Sequence, residues 1–370
     1  MKIHFIGIGG IGLSGIARLL QSYGNEISGS DIKETTLTQT LQSEGMKITI
    51  PHDESAINNQ DLVIYTAVTK PNNPELLKAK RLGIKTLSRR EALELIVNDK
   101  KVYSVCGAHG KSTTSAILAS ILRDSNALIG AESKDFKSNC RVKDSNVLVF
   151  EADESDGSFV DSNPYCAIVT NAEPEHMEFY NYDYELFYKH YEEFINKADK
   201  KVLCKDDEFL DLQIAEKVSI KDIKNIEYKL VSDLPKTSFE FLEETFEVYG
   251  FGEHIALDTA LAIKAALNEI TIEKIKTNLK NYKGIKKRFD ILQNKDKFVV
   301  IDDYAHHPTE IKATLQSAFK FAELKNIDKV IAIWQPHKYS RTLDNLETFI
   351  ECFEGVDELI ILPVWSAGEK

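Results

Sequence analysis

Residues 101–123 read KVYSVCGAHGKSTTSAILASILR, and this stretch decides the fold. Val102–Cys106 has the length and apolar character of a buried strand, Gly107-Ala108-His109-Gly110 is a glycine turn, and Ser112–Arg123 carries helical apolar spacing. In a strand–turn–helix unit, small residues let backbone N–H groups fold around phosphate oxygens, and the helix N-terminus adds positive potential. Lys111 neutralises charge, and the Ser112 hydroxyl can ligate Mg²⁺. Gly107, Ala108, His109, Gly110, Lys111, Ser112 and Thr113 are therefore the expected nucleotide-phosphate loop. The spacing is GxxGKS, a shorter form: Val105 stands where the general phosphate loop has its first glycine. A structural turn that merely contains Gly and Lys is the competing reading, and the strand–turn–helix context weighs against it.

About 40 residues downstream, the apolar run Val147–Phe150 ends in Glu151-Ala152-Asp153-Glu154-Ser155-Asp156. Carboxylates at the C-terminal end of a parallel strand suit Mg²⁺ shared with substrate oxygens. Alone, such a run could equally be a solvated loop; a phosphate loop upstream favours the metal reading. Upstream, Gly7-Ile8-Gly9-Gly10-Ile11-Gly12 holds GxGxxG at Gly7, Gly9 and Gly12, between strand Lys2–Ile8 and helix Gly12–Tyr23. Asp31 closes the next strand, where a ribose hydroxyl would be read. By itself this pattern reads as an NAD site and a dehydrogenase. A second nucleotide loop in the same chain weakens that reading, because such a loop recognises a diphosphate without specifying which one.

The alternation spreads outward from these loops. Strands are expected at Glu26–Gly29, Lys47–Ile50, Asp61–Tyr65 and Lys85–Leu87, and helices at Leu37–Glu44, Pro74–Leu82 and Arg90–Val97. This predicts an α/β chain with parallel sheets covered by helices. The polar break Asn98-Asp99-Lys100-Lys101 gives a first boundary, so residues 1–98, 99–283 and 284–370 are expected as three domains. Residues 205–250 are charged and weakly patterned. After Gly284, three strands are expected, at Phe298–Ile301, Val330–Trp334 and Leu359–Leu362, with helices Pro308–Phe321 and Leu343–Phe353 between them. The chain has 370 residues and a net charge of −12, a balance that argues against a nucleic-acid-coating protein. No apolar run approaches the roughly 20 residues needed to span a membrane. Five cysteines, none close in sequence to another, give no disulfide framework, and with no cleavable leader in evidence a cytoplasmic location is expected.

Three further segments follow strand ends. Glu173-Pro174-Glu175-His176-Met177-Glu178 contains His176, which alone would more often be structural. Asp302-Asp303-Tyr304-Ala305-His306-His307-Pro308 is either a site or a cap for the next helix. Gln335-Pro336-His337-Lys338-Tyr339-Ser340-Arg341 suits phosphate or carboxylate binding, or is a surface loop. Tyr180, Tyr182 and Tyr184 are expected to serve packing.

Taken together, IGIGGIGLSGIA, SGSD, NPE at Asn73–Glu75, GAHGKSTT, EADESDGSF, IVTNAEPEHM, RFD at Arg288–Asp290, DDYAHHPTEI and QPHKYSRT resemble the Mur ligase family, in family order and over nearly the whole chain. The resemblance implies a three-domain fold: an N-terminal Rossmann-like domain holding UDP, a central P-loop ATPase-like domain binding ATP, and a C-terminal Rossmann-like domain that closes with the amino acid. It implies ATP-dependent ligation of L-alanine to the carboxylate of UDP-N-acetylmuramate through an acyl phosphate, for peptidoglycan synthesis. Gly7, Gly9, Gly10, Gly12 and Asp31 would bind the UDP substrate. Ser112 and Glu151 would hold Mg²⁺, and His176 would help hold a second metal. Lys111, His176, His306, His307 and Arg341 would be catalytic. A homodimer is compatible with the resemblance.

The chain also departs from the family pattern. The family's HNxxN segment, which contacts adenine, is His254-Ile255-Ala256-Leu257-Asp258 here, without either asparagine amide. Lys338 replaces the usual arginine, losing bidentate geometry, and Glu175 replaces an aspartate. A sheet with only three strands after Gly284 is thin for an α/β domain, so a C-terminally shortened third domain is expected. A UDP-sugar- or nucleotide-binding homologue with weak or no turnover is the alternative, ahead of the dehydrogenase.

Overall fold

The computed structural model describes residues 1–369. They form two compact units. One comprises Met1–Ser115, Leu122–Glu132 and Phe136–Lys217, and the other Ala116–Ile121, Ser133–Asp135 and the chain from Val218 onward.

The first unit begins with β1 (Lys2–Ile6), α1 (Ile11–Ser22), β2 (Glu26–Ser30), α2 (Thr36–Ser43), β3 (Lys47–Thr49), β4 (Leu62–Tyr65), α3 (Pro74–Arg81), β5 (Lys85–Ser88), α4 (Arg89–Ala92) and α5 (Glu94–Val97). Its five strands are all parallel, in the order β3-β2-β1-β4-β5. Parallel strands buried on both faces need continuous apolar runs, and Ile6 and Val63 accordingly pack with Ile57, Leu76 and Ala79. Side-chain caps set the helix starts. Thr35 caps α2, Asn73 caps α3 just before Pro74, and Ser88 forms a reciprocal box with Glu91. The helix expected over Arg90–Val97 is two short helices separated at Leu93.

A second sheet contains β6 (Lys101–Cys106), β7 (Asn126–Ser133), β8 (Ser138–Arg141), β9 (Val147–Glu151), β10 (Cys166–Val169), β11 (Lys200–Cys204) and β12 (Glu216–Val218), with helices α6 (Lys111–Ile121), α7 (Tyr184–Lys197) and α8 (Glu208–Asp211). Its order is β12-β11-β10-β6-β9-β7-β8, and β6 lies at its centre, parallel to both β9 and β10. The loops after β6, β9 and β10 therefore emerge on one edge, which is the physical reason the three motifs there meet.

In the other unit, β13 (Lys224–Val231), β14 (Leu234–Phe241) and β15 (Glu244–Tyr249) form an antiparallel sheet where the sequence offered no clear elements. Both of its turns use two residues with positive φ, Ser232-Asp233 and Leu242-Glu243, which matches the twist of two-residue hairpins. Then come α9 (Glu253–Ala266), α10 (Ile272–Leu279), β16 (Asp290–Lys295), β17 (Phe298–Asp302), α11 (Pro308–Lys325), β18 (Ile331–Trp334), α12 (Tyr339–Asp344), α13 (Leu346–Cys352) and β19 (Glu358–Ile361). Among the described residues the strands after Gly284 number four, not the three expected: β16 and β17 pair antiparallel, and β18 and β19 pair parallel. Ile311 and Leu315 of α11 and Phe349, Cys352 and Phe353 at α13 form a core between these two helices. No helix among the described residues is long and apolar enough to cross a membrane.

Candidate functional site

The phosphate loop leaves β6 through Gly107 at φ +139° and enters α6 after Gly110 at φ +81°. Gly107 is required sterically as well, because a Cβ there would lie 2.1 Å from Thr170 Oγ1 and 2.9 Å from the Asn171 carbonyl oxygen. The loop is clamped from the end of β10. Asn171 Nδ2 donates to the His109 carbonyl at 2.9 Å, the His109 N–H donates to Asn171 Oδ1 at 3.2 Å, and Thr170 Oγ1 donates to the same carbonyl. His109 Nε2 lies 3.1 Å from Glu173 Oε2.

Lys111 Nζ donates to Glu154 Oε1 at 2.9 Å and to the Ala108 carbonyl at 3.1 Å. Burial works against both charges of the pair. For Lys111 it is outweighed by the Glu154, Glu151 and Asp153 carboxylates, which hold the ammonium above its ordinary value. For Glu154 burial prevails over the pull of Lys111 and, helped by Asp153, pushes the carboxyl up to about 7. Ser112 Oγ donates to Glu151 Oε1 at 2.8 Å, and the Gly130 N–H donates to Glu151 Oε2 at 2.6 Å. The expected metal residues Ser112 and Glu151 are thus side by side.

His176, in a left-handed conformation at φ +54°, belongs to a group in which ligand atoms of Glu154, Glu175 and His176 all lie within 4.8 Å of one another. Glu154 is 1% exposed, and its buried Oε2 accepts no hydrogen bond among the described residues. A buried carboxylate oxygen without a donor is costly unless a cation or donor meets it. Glu154 and Glu175 offer hard oxygen donors beside His176 in this cluster, and the adjoining Ser112 and Glu151 oxygens offer a second such set; both fit Mg²⁺. Of the three tyrosines expected to pack, Tyr180 is buried and donates to the Glu154 carbonyl at 2.6 Å, while Tyr182 and Tyr184 are exposed.

In the first glycine loop, Gly7 has φ +84°, and the Gly7 and Ile8 N–H groups both donate to the Ser30 carbonyl. Asp31 Oδ2 accepts from Gly9 N at 2.8 Å and Oδ1 from Ile32 N at 2.7 Å, so Asp31 fixes the shape of the loop. Gly10 caps α1 without a side chain, leaving first-turn N–H groups open to an anion. Glu75, the last residue of the NPE segment, has a role that the motif alone does not show. The structure buries its carboxylate completely. Oε2 accepts from Ser30 Oγ and lies 3.2 Å from His4 Nε2, and Oε1 accepts from Asp53 N at 2.9 Å. Gly15, which no motif singles out, lets α1 pack on the second sheet: a Cβ there would lie 2.0 Å from Leu128 Cδ1.

Within the other unit, His306 and Arg341 converge through His337, a member of the Gln335–Arg341 segment outside the expected catalytic set. Arg341 Nη1 lies 3.3 Å from His337 Nδ1, and the His337 and His306 rings are 6.1 Å apart. Burial, reinforced by the Arg341 and Lys338 charges, lowers the His337 pKa. Glu310 Oε2 accepts from the His306 N–H at 3.1 Å, and its Oε1 accepts from Arg288 Nη1 at 3.2 Å. His307 is the N-cap residue of α11.

Three family models match in succession: "Mur ligase family, catalytic domain" over residues 2–101, "Mur ligase middle domain" over 105–266, and "Mur ligase, glutamate ligase domain" over 287–370. Among curated relatives, the UDP-N-acetylmuramate–L-alanine ligase of Campylobacter curvus is 53% identical over 373 aligned positions, which cover 100% of this chain and 86% of that protein. The enzyme of the same name from Helicobacter pylori strain P12 is 54% identical, with 100% and 83% covered. Among solved structures, UDP-N-acetylmuramate-alanine ligase MurC from Thermotoga maritima superposes with a TM-score of 0.85 at 29% identity, covering 100% of this chain and 86% of that one.

Proposed function

The chain belongs to the Mur ligase family, and from that premise we propose how its residues carry the reaction: ATP-dependent ligation of L-alanine to UDP-N-acetylmuramate, in peptidoglycan precursor synthesis. The observation that carries the proposal is the meeting of Lys111, Ser112, Glu151 and Glu154 where the loops after β6 and β9 emerge side by side.

A carboxylate does not acylate an amine directly, so it must first be phosphorylated. The muramate carboxylate oxygen attacks the γ-phosphorus of ATP, and ADP departs with the bridging electron pair. The alanine amine then attacks the acyl carbon, phosphate leaves, and the amine releases a proton. Two anions must approach each other in the first step. Lys111 offsets their repulsion at the phosphate loop, where the loop N–H groups hold the transferring group. Ser112 and Glu151 would hold one Mg²⁺, and His176, with Glu175 and Glu154, a second. Bound there, Mg²⁺ would neutralise phosphate charge and polarise the phosphoryl oxygens. The basic group His306, His337 and Arg341 suits an anionic reactant.

We assign residues 1–98 to the UDP substrate, 99–283 to ATP and 284–370 to the amino acid, and we place the reaction in the cytoplasm. Gly7, Gly9, Gly10 and Gly12 would receive the diphosphate, with Asp31 holding the loop. Phosphate release in the presence of ATP and Mg²⁺ tests the reading. It should require both UDP-N-acetylmuramate and L-alanine, and glycine, L-serine or a tripeptide should replace L-alanine poorly. Release that ignores the amino acid would overturn it.

A further inference from the structure

Arg89 follows β5 at the same sheet edge where Gly7 follows β1, Asp31 follows β2 and Thr66 follows β4. The strand order reverses between β1 and β4, the place where a doubly wound sheet opens a crevice for its ligand. From that edge the Arg89 side chain reaches back over α1. A Cβ on Gly12 would lie 3.1 Å from its Nε and 3.4 Å from its Cζ. Nε is buried and donates to no group among the described residues. Nη1 lies 3.6 Å from Asp153 Oδ2, beyond the roughly 2.7–2.9 Å of a charge-assisted hydrogen bond.

We propose that Arg89 is a ligand of the UDP substrate's diphosphate, its guanidinium seated against Gly12 and its exposed part turned to the glycine loop, with Asp153 a loose ion-pair neighbour at 3.6 Å. The proposal rests on reading the first glycine loop as the UDP-substrate site. Gly12 is the third glycine of that loop, and Gly10 leaves the α1 N-terminus without a side-chain cap. A guanidinium edge facing uncapped backbone N–H groups forms a two-sided clamp for a diphosphate, matching its oxygens in a way a point charge cannot. The short helix α4 and its Ser88–Glu91 box fix where the arginine starts. The absence of a side chain at Gly12 lets it come close.

The test uses the full chain, with UDP binding measured by calorimetry and steady-state KM for both substrates. Arg89→Gln should weaken UDP binding roughly 10- to 100-fold, the range for losing hydrogen bonds to a charged group. The KM for UDP-N-acetylmuramate should rise in step. Arg89→Lys should restore only part of the affinity, because lysine keeps the charge and loses the fork. The KM for ATP should move by no more than about twofold in either variant, since the ligand is on the UDP side. A purely structural tie between Arg89 and Asp153 predicts the reverse, with ATP parameters and melting temperature shifting while UDP affinity holds. Wild-type UDP affinity in both variants, or equal losses for UDP and ATP, would overturn the proposal. A wild-type protein that binds neither UDP nor UDP-N-acetylmuramate would instead bring down the reading of the loop itself.

Discussion

Ser112 Oγ donates to Glu151 Oε1 at 2.8 Å, joining the first turn of α6 to the last residue of β9. The other oxygen of that carboxylate accepts from the Gly130 backbone at 2.6 Å, so its orientation is fixed from both sides.

Glu151→Gln keeps the size and removes the charge; its amide NH₂ can face Ser112 Oγ, which can turn to accept, but not the Gly130 N–H. The Mg²⁺ concentration giving half-maximal phosphate release should rise at least the roughly 10- to 100-fold seen when a metal ligand's supporting partner is lost. A Mg²⁺ titration of turnover checks this, and an unchanged midpoint would remove Glu151 from the metal site.

Lys111→Ala removes the ammonium that pairs with Glu154 at 2.9 Å. Turnover should fall by on the order of 10³-fold or more, as for loss of a group aimed at transition-state charge. Calorimetric affinity for UDP-N-acetylmuramate should stay within about threefold of wild type. If that affinity collapses in a folded variant, the two glycine loops do not serve separate substrates.

The two loops should respond separately to bulk. At Gly9 a Cβ would lie 2.7 Å from Asp31 Oδ2 and 3.0 Å from Thr38 Cγ2, so Gly9→Val should abolish UDP-substrate binding and spare ATP binding. Gly107→Val, with φ +139° and Thr170 in the way, should do the opposite. Equilibrium binding of each ligand to each variant gives a two-by-two outcome.

Gly15→Ala forces a methyl toward Leu128 Cδ1. Overpacking of a closed core costs about 1–3 kcal/mol, which denaturant unfolding would register as a lower midpoint. Adding Leu128→Ala should make the Gly15→Ala change markedly less costly than it is alone. Strict additivity would show that the two positions do not touch.

Glu75 gives a pH signature. Burial raises its pKa, but hydrogen bonds from His4 and Ser30, the His4 charge and the Asp53 N–H together outweigh burial and hold it below the ordinary 4.5. A depressed carboxylate stabilises the fold above its unfolded pKa, and that contribution is lost as pH falls through the folded value. The stability advantage of wild type over Glu75→Gln should therefore be level above about pH 5 and shrink on further acidification. Thermal melts across that range test the sign; an advantage that grew toward low pH would contradict it.

Much of this was legible in the chain itself because the information is local. A strand followed by GAHGKS can only present that loop at a strand end, and the alternation of strands and helices over the first hundred residues forces parallel pairing. The antiparallel sheet over residues 224–249 was equally local and was missed. Phe239, Phe241, Phe246 and Val248 alternate with polar residues, but abundant charge on the outer face hid the period of two. What no local pattern could supply was which distant groups share an atom. Glu154 meets Lys111 and Asn171 clamps His109 because parallel strands from separate segments deliver their C-terminal ends to one edge of the second sheet, while Glu75 on α3 gathers His4 and Ser30, and Arg89 after β5 reaches Gly12, across the first sheet. The sequence determined which loops could bind phosphate. Strand order, a property of tertiary packing, decided which carboxylates and cations stand beside them, and with that their burial and charge.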